Sequence, residues 1–259
     1  MSKPTLATRN RIGNDVMDLL DPRCQGRRKD DRLLGRILLP EERIWVDEVA
    51  SESAWAVRLW ALWAAKESAF KVYCKLVGDG AFRPRSFLCR LEAEAQPDDP
   101  SITRIRGEVE AADAGLSVTI EGSSNQSYVH VVGWAGSGSR PRQSRMESGL
   151  EEVGLGDSHT ALATLRDRFT PEEWEGIHSL RSAHARLLAR ERVRSLLGRG
   201  TGADGGNISG QVEIRTTGDR PGKLAPQIWF RGSRIRDLDL SLSHHGRFVA
   251  WALLVPQGR

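Results

Sequence analysis

The stretch Trp55–Tyr73, WAVRLWALWAAKESAFKVY, reads as one helix. Between Ala54 and Ala65 its only charge is Arg58, and tryptophans stand at 55, 60 and 63. A helix apolar nearly all round is buried on most sides, so this one lies at the centre of a core. Working outward, short strands are predicted at 87–91, 104–110, 116–121 and 128–134, separated by polar or Gly-containing turns. The second half repeats that inventory. Thr170-Pro171 opens a helical region, with Thr170 as N-cap, and 183–197 continues it with Leu188, Val193, Leu196 and Leu197 on its apolar face. Strands are predicted at 212–215, 237–243 and 248–255. Leu238, Leu240 and Leu242 alternate with Asp237, Asp239 and Ser241, the pattern of a half-buried strand. The stretch 136–157, rich in Gly, Ser and Arg, reads as a linker between halves 1–135 and 158–259, and 198–210 reads as a surface loop.

Composition bounds the function classes. The 259 residues carry 39% hydrophobic and 28% charged side chains, ordinary for a folded soluble protein and far from a disordered chain. No run of about 18 apolar residues exists, so no transmembrane helix is expected. Met1–Arg11 is polar and basic with no apolar core, so no signal peptide is read there. Cys24, Cys74 and Cys89 form no metal-type pair, and an odd count argues against a disulfide scaffold; a cytoplasmic protein is expected. The net charge of +4 suits an anionic ligand or an acidic partner. Only Lys3, Lys29, Lys66, Lys71, Lys75 and Lys223 are lysines, so the three between 66 and 75 stand out.

Three segments carry chemistry. Glu67 and Lys71 are spaced i, i+4 on one helix face. They read either as an ordinary helix ion pair or as charges at the rim of a core that call for a metal or a phosphate. In IGNDVMDL, Asp15 or Asp18 either caps a turn or offers a hard oxygen to Mg²⁺, for which Asp15 with Glu67 would suffice. Glu41 and Glu42, after Pro40, read either as a helix N-terminus or as further carboxylates. In SLSHHGR, Ser243, His244 and Arg247 gather at a strand end, as a phosphate site or as a polar hairpin tip. No GxSxG elbow supports a serine hydrolase. The Arg186, Arg190, Arg194 stripe is either a solvated helix face or a docking surface for an acidic partner; no recognition motif accompanies it, so nucleic acid is not expected.

Together these segments resemble the 4′-phosphopantetheinyl transferase superfamily. The resemblance rests on Gly13-Asn14-Asp15, on the Trp63–Lys71 helix with its Lys66-Glu67 and Lys71, and on Ser243-His244. The second half is similar to the N-terminal half of the surfactin-synthetase-activating type, through 183–197, Pro221-Gly222-Lys223 and the Ser-His hairpin. The two halves then stand in swapped order, as in a circular permutation. The resemblance implies an α+β fold of two pseudo-symmetric subdomains. Each is a long helix packed on a small, mainly antiparallel sheet, with the active site in the cleft between them. It implies Mg²⁺-dependent transfer of phosphopantetheine from coenzyme A to a serine of an acyl or peptidyl carrier protein, by a monomeric pseudo-dimer.

By the same resemblance, Asp15, Glu67 and Glu42 are the expected metal side, with Glu42 assisting the metal or activating the attacking hydroxyl. Glu67, Glu42 and Lys71 are the expected catalytic residues. Lys66 and Lys71 are expected near the coenzyme A pyrophosphate, and Lys223, Ser243 and His244 at coenzyme A. Arg186 falls at a nucleotide-binding position. The position two residues after Asp15, often acidic in this family, is Met17, with Asp18 next. His178 and Arg181 are the substitutes for the 3′-phosphate grip. A relative that binds coenzyme A or a carrier without turnover is the alternative.

Overall fold

The computed structural model describes residues 10–78, 80–136, 144–154, 158–198, 212–216 and 225–256. It divides into two compact units, Met1–Arg140 and Pro141–Arg259. In the first unit β1 (Arg11–Asp18) is followed by α1 (Asp31–Ile37), α2 (Pro40–Asp47) and α3 (Glu52–Leu76). Strands β2 (Leu88–Ala95), β3 (Thr103–Ala111), β4 (Leu116–Ser124) and β5 (Tyr128–Ala135) complete it. The last four form an antiparallel meander, and β1 adds outside β5, giving the order β1-β5-β4-β3-β2. Arg11, which opens β1, pairs with Ala135, which ends β5.

The expected central helix is α3. Ser51 caps it, its hydroxyl accepting the Ala54 N–H at 3.1 Å. Trp55, Leu59, Leu62, Ala69 and Phe70 pack on Val109, Val118, Ile120, Val129 and Val131 of the sheet. Burial continues round the helix because α1 and α2 contribute Leu34, Ile37 and Val46 to the same core. The Trp60 indole N–H finds the Cys24 carbonyl at 2.9 Å, as a buried indole must find a partner.

In the second unit β6 (Ser144–Glu152) is followed by α4 (Ser158–Thr164), α5 (Pro171–Trp174) and α6 (Leu180–Gly198). Strands β7 (Val212–Arg215), β8 (Gln227–Phe230), β9 (Ser233–Ile235), β10 (Asp239–His245) and β11 (Phe248–Pro256) follow. They form two three-stranded antiparallel sheets, β10-β11-β6 and β7-β8-β9. Ala189, Val193 and Leu196 of α6 pack on Val212, Ile214, Ile228, Leu240 and Leu253. The fold is α+β, a long helix on antiparallel sheet in each unit, as the sequence led one to expect.

Four strands, β1, β6, β8 and β9, have no counterpart in the sequence reading, and two of them fall on segments that were read otherwise. Ser144–Glu152 lies inside the stretch read as a linker, yet it pairs with β11 along its whole length, Ser144 opposite Pro256 and Phe248 opposite Glu152. Its Gly, Ser and Arg content reflects a strand only half buried, held by backbone pairing rather than by an apolar face. The Gly13-Asn14-Asp15 region is strand β1, buried from Ile12 to Asp18, so it shows no polar–apolar alternation to read. The rest of the linker reading, 137–143 and 155–157, and most of the predicted loop, 199–210, lie outside the described residues.

Candidate functional site

The site begins at a glycine. A Cβ at Gly13 would lie 2.1 Å from the Ser68 carbonyl oxygen, so only glycine lets β1 come this close to α3. Two residues on, Asp15 is brought against the helix. Lys71 Nζ donates to Asp15 Oδ1 at 3.1 Å and to the Asn14 carbonyl at 2.5 Å. Lys75 Nζ donates to the Ile12 carbonyl at 2.7 Å. Both lysines thus reach from α3 to backbone carbonyls of β1, the end strand of the five-stranded order. Glu67 lies one helical turn before Lys71, on the same side of α3. Asp15 and Glu67 are each 8% exposed. Thus Asp15 and Lys71, remote in sequence, meet in the seam between β1 and α3, with Glu67 one helical turn away from Lys71.

Glu42 and Lys66 lie elsewhere and are spent on each other. Lys66 Nζ donates to Glu42 Oε2 at 2.6 Å and to the Ile37 carbonyl at 2.8 Å. Glu42 also accepts the Leu39 N–H at 2.7 Å and the Cys89 N–H at 2.9 Å. Both side chains are wholly buried. Glu42 as a metal ligand, and Lys66 as a pyrophosphate contact, therefore conflict with this geometry. A metal would have to displace an ammonium, and Lys66 presents no surface to an anion. Glu42 thereby takes the buried place that the Glu41/Glu42 pair left open, and Glu41 faces solvent. Asp18 accepts the Leu20 N–H at 3.0 Å, a turn-capping contact, and Met17 packs in the core. Among the described residues no group of three or more His, Cys, Asp or Glu side chains gathers as a metal site.

His130 was not singled out in the sequence. It stands on β5 opposite Val16, 6% exposed, and its Nε2 has no hydrogen-bond partner among the described residues. Burial lowers its pKa to about 4; Asp15 pushes the value back up and Lys71 pushes it down. The ring is neutral near pH 7 and within electrostatic reach of the Asp15–Lys71 pair. The signal for it was a lone ionisable residue in the otherwise apolar run Tyr128–Trp134.

In the second unit, Ser243 is buried near the end of β10 and His244 is exposed beside it. Both remain strand, and Gly246, with φ of 54°, makes the turn with Arg247. Arg247 pairs with Glu152 at 2.8 Å. Arg186 is 5% exposed and donates to the Gly176 carbonyl at 2.7 Å and to the Ser182 hydroxyl at 2.6 Å. Burial lowers its pKa to about 10, and no carboxylate among the described residues lies within ion-pair distance of it. His178 is exposed and Arg181 half buried. Lys223 lies outside the described residues.

The arginine stripe is not a solvated face. Arg190 is as buried as Arg186, its guanidinium donating to Glu173 at 3.2 Å and lying over the Phe169 ring. Glu173 has no exposure and needs that cation; burial, and to a lesser degree Glu213, raises its pKa against the pull of the Ile214 N–H and Arg190. A stripe with two of three members inside the unit offers little to an acidic partner or to a nucleic acid.

A family model of the 4′-phosphopantetheinyl transferase superfamily matches residues 11–130. The match starts with β1, spans α2 and α3, and contains Asp15, Glu42, Lys66, Glu67 and Lys71; the second unit lies outside it. No curated protein matches the chain.

Proposed function

We propose that this chain transfers 4′-phosphopantetheine from coenzyme A to a serine hydroxyl of an acyl or peptidyl carrier protein, in a Mg²⁺-dependent reaction. The observation that carries the reading is the close approach of β1 to α3 at Gly13, which sets Asp15 on Lys71, one helical turn from Glu67, within the stretch that matches the transferase family. The second unit is read as the Ser-His half of that family, joined in swapped order. Three thiols with no disulfide, and no helix among the described residues long and apolar enough to cross a membrane, fit the cytoplasmic setting we propose for it.

Asp15 and Glu67 are hard oxygen donors from a strand and a helix held in contact. Such a pair fits Mg²⁺, which takes one or two carboxylates and fills its shell with phosphate oxygens and water. When bound, the ion neutralises charge on the pyrophosphate. Lys71, whose side chain keeps 21% of its exposure, orients Asp15 and offers its remaining donor capacity to a phosphate oxygen. The serine oxygen attacks the pantetheine-side phosphorus, the bond to the bridging oxygen breaks, and adenosine 3′,5′-bisphosphate leaves. Glu67 is the carboxylate assigned to receive the serine proton. Ser243, His244 and Lys223 are assigned to coenzyme A phosphates. Arg186 joins them because its buried guanidinium, with no carboxylate within ion-pair distance among the described residues and only Glu173 acting on it from further off, is relieved by an anion.

A second reading is a relative that binds coenzyme A or a carrier without turnover. Glu42 locked to Lys66, and Met17 in the core, leave two carboxylates, Asp15 and Glu67, and favour it. Incubation of several apo-carriers with coenzyme A and Mg²⁺, read by mass spectrometry, separates the two. A phosphopantetheine mass gain that chelation abolishes supports transfer; unchanged carriers with retained coenzyme A binding support the second reading.

A further inference from the structure

Glu42 and Glu173 occupy matching places in the two units. Each is the third residue of a short helix opened by proline, in Leu39-Pro40-Glu41-Glu42 and in Thr170-Pro171-Glu172-Glu173. Each reaches back to the N–H three residues earlier, Leu39 at 2.7 Å and Thr170 at 3.2 Å. Each takes a cation from the long helix of its unit, Lys66 at 2.6 Å and Arg190 at 3.2 Å. Each takes a backbone N–H from the first strand after that helix, Cys89 at 2.9 Å and Ile214 at 2.8 Å. One buried carboxylate thus ties together a helix start, a long helix and a strand, twice in one chain. In both units the residue after the cation is a glutamate. Glu67 is nearly buried, whereas Glu191 is exposed.

The duplicate separates the device from any chemistry. Glu173 makes the full set of contacts in a unit where the following glutamate faces solvent, so the contacts serve the long helix itself. A buried ion pair of this kind is a poor source of stability, since apolar replacement of both partners is often neutral. Its effect is to hold one helix rotation against others.

We propose that Glu42 is a positioning residue: by gripping Lys66 it fixes the rotation of α3 and so the aim of Glu67, without touching a reacting atom. This rests on the transferase reading of the seam. The test uses the full-length chain as Glu42→Gln, Lys66→Met and the double variant, with kcat and KM for coenzyme A read from carrier mass gain, and thermal midpoints measured alongside. Glu42→Gln leaves Lys66 buried without its counter-charge and is expected to lower kcat at least tenfold, with KM for coenzyme A within twofold. Lys66→Met alone is expected to lower kcat as well. The double variant loses the same single grip, so it is expected to be no slower than the slower single variant. Losses in kcat that multiply in the double variant would show that Glu42 acts on the reaction independently of Lys66 and overturn the proposal. So would wild-type kcat in either single variant. A wild-type chain that modifies no carrier sinks the transferase reading instead. The midpoints then still decide the pairing: recovery in the double variant supports it, and additive losses overturn it.

Discussion

The ammonium of Lys71 bridges the side chain of Asp15, at 3.1 Å, and the backbone carbonyl just before it, at 2.5 Å. One cation on the long helix thus both pins the backbone of β1 and pairs with the Asp15 carboxylate. Lys71→Met removes both effects. Carrier modification is expected to fall more than tenfold, and stability by ~1–3 kcal/mol, the usual worth of a charged hydrogen bond. Mass spectrometry of the carrier and thermal melts read the two separately; wild-type rates would remove Lys71 from the mechanism.

Glu67→Gln keeps the shape of the side chain and removes its negative charge. Transfer is expected to drop at least a hundredfold while the melting curve stays near wild type. Turnover within a few-fold of wild type in saturating Mg²⁺ would end the assignment of Glu67.

Gly13→Ala puts a methyl group against the Ser68 carbonyl, a backbone atom that cannot rotate aside. Forced expansion of this kind costs about 1–3 kcal/mol and would lift Asp15 off α3. Both a lowered unfolding midpoint in urea and loss of transfer are expected. An alanine variant as stable and active as wild type would show that strand and helix are not in fixed contact.

His130 carries a pH dependence. Its folded pKa is about 4, whereas an unfolded histidine titrates near 6.5. Between those values the unfolded chain binds more protons, so stability falls as pH drops through that window. At about 1.4 kcal/mol per unit the loss approaches ~3 kcal/mol by pH 4. His130→Leu is expected to flatten this part of the profile in melts between pH 7 and 4. Parallel profiles for variant and wild type would show that the ring titrates normally.

Arg190→Glu tests the corrected reading of the arginine stripe. The substitution sets a second carboxylate beside buried Glu173, and breaking such a pair costs roughly 3–5 kcal/mol. The second unit is expected to melt markedly earlier. Replacing both residues, as Glu173→Met with Arg190→Met, is expected to restore most of the midpoint. A stable Arg190→Glu chain that merely modified its carrier more slowly would return the stripe to the surface.

The helix α3 was legible because nothing but burial explains three tryptophans and one charge in a dozen residues. The meander was legible through its turns. Strand β1 was not, since burial on both faces erases alternation and Asn14, Asp15 and Asp18 resemble a turn. Strand β6 was not, because backbone pairing with β11 leaves no trace in residues such as Arg145, Ser148 and Gly149. At the site, spacing pairs Glu67 with Lys71 alone; that Asp15 lies against Lys71, 56 positions on, has no trace in spacing and was suggested only by the family resemblance. The Lys66 partner of Glu42 was not legible for a physical reason: a carboxylate after a proline looks the same whether its charge faces a metal or a lysine 24 positions on.

Each unit enters and leaves at one spot. Arg11 sits opposite Ala135 in the pairing of β1 with β5, and Ser144 sits opposite Pro256 in the pairing of β6 with β11. Neither pairing depends on which unit the ribosome makes first. The backbone bonds of each pairing lie wholly inside one unit, so the first and last strands of a unit are clamped side by side whatever joins that unit to the other.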